Sequence, residues 1–440
     1  MLDSFFIGIA GLVCLLALIA VRVPIAYTMI LVGIAGTIIQ SGPAVVLNQL
    51  KDLAYAQFSI YDLSVLPMFI LMGGLASRCG LSRDLFRGAN AWLGRFRGGV
   101  AMAAVAACAG FGAVCGSSTA TASTMGQVAL PELRRYKYSP ALATGTIAAG
   151  GTLGILIPPS VVLIVYAIIV EANVVTMFAA ALIPGILAML LFMLTVAVYV
   201  RLVPGSGPTG EAVSRSELLA ASIGVIPVLV VFGVVIGGIY AGIYNPTAAA
   251  AVGVFLVVAY GFVTRRLSIG GMGDALLETA RTSGMIFLIL LGAELLKIFM
   301  ARAGVPQAAA EALQGSGLSP ISILVLIIIL YLILGCLMDS LSMVILTVPF
   351  FWPVVSGLDF GMSPADLKIW FGIIILIVVE LGLITPPVGL NVFIINSLAP
   401  DVPMRQTFKG VMPFFAAEML RITLLVAVPA ITLFLPHLLA

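Results

Sequence analysis

Residues 151–160 read GTLGILIPPS and residues 380–389 read ELGLITPPVG. Each is an apolar helical run stopped by a proline pair, Pro158-Pro159 in the first and Pro386-Pro387 in the second. Neither proline of a pair has an N–H to donate, and the first is pushed out of the α region by the second. A helix must break at both places, inside sequence too apolar for a surface loop. Unwound backbone at membrane depth is tolerated only where protein or a water-filled cavity satisfies it. The two stretches therefore predict two broken membrane helices, one in each half of the chain.

The two halves of the chain match. An offset of 222 places Pro24 on Pro246, Ser117 on Asp339, Ser118 on Ser340 and Pro131 on Pro353. The offset grows to 224 for Ser139-Pro140 on Ser363-Pro364, to 228 for the proline pairs, and to 229 for Pro184 on Pro413. One match is chance, but an ordered series with slowly growing offsets is an internal repeat. The stretches 98–133 and 318–356 are each too long for one span, and each is interrupted near its middle by small and polar residues. The interruptions are GSSTATAS (116–123) and GCLMDSLSM (335–343), which read as the tips of two re-entrant hairpins.

Composition fixes the solvent. Of 440 residues, 62% are hydrophobic and 9% charged, against about 25% charged in soluble proteins, and mean hydropathy is +1.23. No globular core buries that much apolar side chain behind a wet exterior. Spans of about 20 apolar residues are expected near 4–21, 24–41, 62–77, 139–170, 176–200, 218–243, 246–263, 283–300, 367–398 and 411–436. The start MLDSFF carries no basic n-region, so residues 4–21 read as a retained first span.

Ten spans plus two hairpins, with the N-terminus outside, put 16 of the 21 basic residues on the cytoplasmic side, from Arg22 to Lys409. Only Lys51, Arg302 and Lys368 fall outside, while Lys297 and Arg421 lie within spans, so the arrangement satisfies the positive-inside rule. Five spans per half force the halves into opposite orientation. The expected fold class is thus an all-α polytopic membrane protein of two inverted repeats, a transporter architecture.

Other chemistry is thinly supported. Net charge +3 comes without a basic cluster suited to nucleic acid. The dipeptide Gly-Lys never occurs, so a Walker A loop is absent and ATP is not expected as a ligand. Five scattered cysteines form no CxxC, and the single histidine is His437, so a transition-metal site is not expected. Gly271-Met272-Gly273-Asp274 matches the GxGD pattern of intramembrane aspartyl proteases, but is expected in a polar loop. Ser117 has no histidine to act as its base. A membrane-embedded hydrolase is therefore a remote alternative.

Ser/Thr-rich helices are usually packing glue, and a lone Pro-Pro is often a kink. Both features, twice, at matched positions point further. Freed carbonyls with Ser, Thr and Asp oxygens suit a hard monovalent cation, while helix N-termini beyond a break suit an anion. Asp339 is the strongest single residue, because a carboxylate in an apolar run is costly and functional by default. Glu294 and Glu380 are similar but ambiguous. Glu294 with Lys297, and Glu418 with Arg421, have the spacing of intrahelical pairs.

The same residues resemble a known family. GSSTATASTMGQVALPEL (116–133), LGILIPPS (153–160), YNPTAAAAVGVF (244–255), MDSLSMVILTVPFFWPVV (338–355) and above all GLITPPVGLNVFIINSLAPDVPMRQTFKGVMPF (382–414) look like the large membrane subunit of tripartite ATP-independent periplasmic (TRAP) transporters. The similarity runs over essentially the whole chain. Asn245-Pro246 departs from a more frequent Thr-Pro, and the small subunit is expected on a separate chain.

The resemblance implies a small four-span membrane subunit and a periplasmic substrate-binding protein as partners in the lipid bilayer of the bacterial inner membrane. It implies sodium-driven import of an organic anion, a carboxylate or sugar acid, by an elevator motion. On that reading residues 1–97 are scaffold spans, 98–175 hairpin 1 with its broken helix, and 176–300 linking and scaffold spans, with repeat 2 starting near 222. Residues 301–398 are hairpin 2 with its broken helix, and 399–440 the last span. Ser117, Ser118 and Thr119 are expected to hold one sodium ion with carbonyls near Gly154 and Pro158. Asp339, Ser340 and Thr385 are expected to hold a second with carbonyls near Gly382 and Pro386, and the substrate is expected between the tips. The alternative is a sodium–anion symporter that needs no binding protein.

Overall fold

The computed structural model describes residues 2–21, 23–211, 213–315, 317–336 and 338–439. Arg22, assigned to the cytoplasmic side, and Leu337 of the second tip lie outside them. Every regular element among the described residues is helical. The first half runs α1 (Leu2–Ala20), α2 (Ile25–Ser41), α3 (Pro43–Phe58), α4 (Val65–Arg78) and α5 (Leu81–Leu93). Then come the hairpin α6 (Gly99–Cys115) and α7 (Ser118–Arg135), the broken pair α8 (Pro140–Leu156) and α9 (Val161–Ile169), and α10 (Val174–Leu202). The second half runs α11 (Arg215–Tyr240), α12 (Pro246–Val263), α13 (Ile269–Ala303) and α14 (Val305–Gly315). It continues with the hairpin α15 (Pro320–Gly335) and α16 (Ser340–Ser356), then α17 (Pro364–Gly382), α18 (Leu390–Leu398), α19 (Met404–Ala427) and α20 (Ala430–Leu439).

Element boundaries repeat as the prolines do. Ser139 and Ser363 each cap a helix whose first residue is proline, Pro140 in α8 and Pro364 in α17, the placement that fixed φ and a missing N–H favour. Ser117 and Asp339 likewise cap α7 and α16. Packing is reciprocal: α2 lies along α13 and α12 along α4, while α9 lies against α16 and α18 against α7. Exchange of partners between halves is what a two-fold relation generates. Small residues allow the close contacts; a Cβ on Gly33 would stand 2.7 Å from the Leu295 carbonyl carbon.

The broken helices occupy the centre. α8 is buried from Leu142 to Leu156 and α17 from Ile369 to Gly382. Large apolar side chains face outward on the outer helices, among them Phe6 and Val13 of α1, Leu229 of α11, Phe255 of α12 and Ile333 of α15. That inside-out pattern suits a hydrocarbon solvent, where exposed apolar surface costs nothing.

Three expectations are corrected. The expected span 62–77 is half of a bent unit, since Pro43–Phe58 and Tyr61–Arg78 form one apolar pair bent by 58°. Gly271–Asp274 is not in a loop: Ser268 caps α13 through the Gly271 N–H at 3.0 Å, and the helix runs unbroken for 35 residues. A helix continues past the apolar zone when nothing stops it, and no proline does so here. The expected last span 411–436 is divided into α19 and α20 at Val428-Pro429, where proline prevents continuation. By length and composition, α10, α11, α12, α13 and α19 can each cross a membrane, and the bent pairs α3–α4 and α8–α9 add two.

Candidate functional site

Hairpin 1 turns on Gly116, whose φ of +64° lies in the left-handed region that glycine enters without penalty. Its N–H closes α6 on the Gly112 carbonyl at 2.8 Å. Ser117 then adopts extended backbone, and its Oγ accepts from the Ala120 N–H at 3.4 Å. A Cβ on Gly116 would meet the Pro159 carbonyl oxygen at 2.8 Å, so the tip rests on the first break. Gly154 is equally tight: its Cβ would stand 2.6 Å from the Ser117 carbonyl oxygen and touch Thr121 Oγ1. Ser117 and Gly154 are thus in contact, Pro159 lies against the tip, and Thr119 Oγ1 is 3.4 Å from Ser117 Oγ. Residues 151–160 are all buried.

The second tip is built the same way. Asp339 Oδ2 accepts from the Ser342 N–H at 3.1 Å, so this half-buried carboxylate caps α16. Gly335 and Gly382 make the contact between hairpin and broken helix; a Cβ on Gly382 would lie 2.6 Å from Gly335 Cα. Cys336 Sγ donates to the Pro386 carbonyl at 3.2 Å. Past Gly382 the chain tightens through three successive i to i−3 bonds, ending with Thr385 N–H on the Gly382 carbonyl at 3.1 Å. Thr385 Oγ1 donates to the Leu381 carbonyl at 2.6 Å. Unlike the first break, this one opens outward at Pro386 and Pro387.

The residue that joins the halves is Glu380. It sits in the last turn of α17, 1% exposed, and its Oε1 accepts from Ser118 Oγ at 2.9 Å and from Ser340 Oγ at 2.6 Å. Those two serines are repeat mates, each the first residue of the helix that follows its tip. Both serines therefore turn toward a common centre rather than only toward their own break. Glu380 Oε2 has no hydrogen-bond partner among the described residues, nor has Thr121 Oγ1 or Asn391 Oδ1. Asn391, fully buried on α18, crosses to the first half and donates to the Ala148 carbonyl at 3.4 Å.

Sequence reading missed the roles of Glu380 and Asn391. A carboxylate in an apolar run was the available signal for the first; nothing marked the second. The intrahelical pairs were legible. Lys297 Nζ lies 3.2 Å from Glu294, and buried Arg421 pairs with Glu418 while also donating to the Pro184 carbonyl at 3.0 Å.

The family "Tripartite ATP-independent periplasmic transporter, DctM component" matches residues 12–431. The C4-dicarboxylate TRAP transporter large permease protein DctM of Pseudomonas aeruginosa is 35% identical over 378 residues, covering 86% of each chain. The sialic acid TRAP transporter large permease protein SiaM of Vibrio cholerae is 28% identical, covering 96% of this chain and 97% of that one. The Alcanivorax borkumensis YdaH transporter has a similar fold, with a TM-score of 0.65 at 14% identity over 89% of each chain. With matched tips, breaks and repeat, this chain belongs to the DctM family and is a large permease component of a TRAP transporter, a multi-pass membrane transporter subunit and not an enzyme.

Proposed function

We propose that this chain imports a small organic anion, a carboxylate or sugar acid, coupled to the entry of sodium down its gradient. The observation that carries the reading is the meeting of both hairpin tips on one buried carboxylate, Glu380, of the second broken helix. One sodium ion takes oxygens from Ser117, Ser118 and Thr119 with carbonyls near Gly154 and Pro158. A second takes them from Asp339, Ser340 and Thr385 with carbonyls near Gly382 and Pro386. Hydroxyl hydrogens of Ser118 and Ser340 point to Glu380, which leaves their oxygen lone pairs for a cation.

Sodium bound at a tip orders that tip, and the anion binds between the two ordered tips, beside helix N-termini whose dipoles favour negative charge. Ion and anion affinities are thereby linked, and linkage of this kind is reciprocal. Residues 98–175 and 301–398 move together as the carrier. Residues 1–97 and the scaffold spans within 176–300 form the scaffold.

The relatives are named for C4-dicarboxylate and sialic acid, both carboxylates. By the same likeness, a small four-span subunit packs on the scaffold, and a periplasmic binding protein delivers the anion. The membrane is the bacterial inner membrane, with the N-terminus on the periplasmic side. Uptake into proteoliposomes tests the proposal. Transport should require an inward sodium gradient and added binding protein together. Uptake that persists without binding protein would point to a two-component symporter instead.

A further inference from the structure

The two cation sites are proposed from separate tips, yet one side chain touches both. Ser118 and Ser340 are mates at an offset of 222, and both donate to Glu380 Oε1. Glu380 itself has no acidic mate. The proline pairs align at 228, which places Glu380 on Thr152, a buried hydroxyl that donates to the Ala149 carbonyl of its own helix at 2.7 Å. A symmetric pair of donors therefore converges on a single, unsymmetric charge.

That charge lacks a cationic partner among the described residues. Arg421, a buried cation of the last helices, is already paired with Glu418. With Glu418 and Arg421 cancelling each other, an ionised Glu380 has no opposite charge beside it among the described residues. Two neutral hydroxyls and the starts of α7 and α16 help a carboxylate, but Oε2 stays buried and unpartnered. An isolated buried carboxylate is strongly disfavoured unless a cation or a proton answers it.

We propose that Glu380 is the shared counter-charge of both cation sites, a positioning residue that ligates neither ion but makes each half's ion affinity depend on the other's occupancy. The inference rests on the sodium reading given above. Its reach follows from geometry. Ser117 and Asp339 immediately precede the two serines that hold Glu380, so cations at those caps sit within about 10 Å of its carboxylate. At an effective dielectric of about 20, a unit charge at that distance changes ion affinity by more than tenfold.

The test uses the purified full-length chain and sodium alone, reading thermal unfolding in sodium chloride against choline chloride at constant ionic strength. An ion that binds the folded state raises the unfolding temperature, and titration gives its half-saturating concentration. Glu380→Gln keeps an oxygen to accept from both serines and removes only the charge. The expected result is a shift of at least about tenfold to higher sodium, with Thr152→Val unchanged. Glu380→Asp, which keeps the charge on a shorter arm, should hold the sodium response within about threefold, and it decides the matter alone if Glu380→Gln does not fold. A wild-type response retained in Glu380→Gln, or lost in Glu380→Asp, overturns the inference and leaves Glu380 as a structural latch between the tips. Absence of any sodium response in the wild-type protein would instead sink the sodium reading itself.

Discussion

The buried pair on α19 gives a prediction whose size can be worked out. Arg421 is fully buried and the Glu418 side chain is 3% exposed, and the guanidinium also holds the Pro184 carbonyl of α10 at 3.0 Å. Arg421→Met keeps most of the volume but strands a carboxylate and a carbonyl. Removing one partner of a buried pair costs about 3–5 kcal/mol. At about 1.4 kcal/mol per decade, the unfolding equilibrium moves by at least about a hundredfold. Glu418→Gln with Arg421→Met removes both charges, and such neutral replacements are often close to harmless. Buried thiols at Cys108 and Cys115 supply the readout, because a thiol-reactive fluorophore reaches them only as the protein opens. The single variant should label much faster than wild type at fixed temperature, and the double variant should recover most of the difference. If the double variant opens as fast as the single one, shape and not charge governs the site, and the reasoning fails.

Asp339→Asn keeps a side chain able to cap α16 but removes the charge; the sodium concentration for half-maximal uptake should rise about tenfold. An unchanged value would reduce Asp339 to a capping role. Ser214→Ala breaks the capping box of α11 and should cost about 1 kcal/mol of stability while leaving sodium dependence alone. Gly154→Ala places a methyl on the Ser117 carbonyl and Thr121 hydroxyl and should weaken sodium binding. Gly237→Ala, which meets nothing within 4 Å, should be neutral or stabilising, and equal effects from the two would contradict the packing described here. Arg134 lies 2.6 Å from Asp401 in the loop after α18 and holds that carboxyl below the usual carboxylate range. Its contribution to stability is complete above the unfolded carboxylate value of about 3.9. It is lost as pH falls through the lower folded value, and Asp401→Asn should flatten acid unfolding curves over that window.

The hairpins and breaks were legible because their signals are local. Pro158-Pro159 and Pro386-Pro387 stop helices whatever surrounds them, and Ser117 and Asp339 are capping residues by type. The repeat was legible because proline positions survive where other side chains change. Hydropathy failed where a helix is not apolar. α3 carries Asn48, Gln49, Lys51 and Asp52, so it lacks the continuous apolar run that marks a span. The first turns of α13, with Asp274, Glu278 and Arg281, read as loop because hydropathy reports solvent and not backbone. Convergence on Glu380 lay beyond any local signal. It depends on which way two hydroxyls turn and on how two hairpins dock.

That convergence bears on why a nearly symmetric fold carries unsymmetric charge. Ser117 and Asp339 occupy equivalent caps, and Thr152 and Glu380 occupy equivalent turns before a break. In both pairs the first half offers a neutral oxygen and the second a carboxylate. Every acidic group at the proposed ion sites therefore belongs to one repeat. Equal charge in both halves would place several carboxylates around one buried centre, and like charges there raise the cost of emptying the site. Two cations facing carboxylates from one half only meet unequal sites instead. The ion at Asp339 sees a carboxylate at its own tip and Glu380 behind it, so it should bind first. The ion at Ser117 then depends on whatever charge Glu380 has left uncompensated, and on the ordering of a tip already tied to the other through Ser118 and Ser340. Binding in that order makes the first half the responsive one, and the Asp339→Asn titration reads it directly, through loss of the tighter of the two sodium steps.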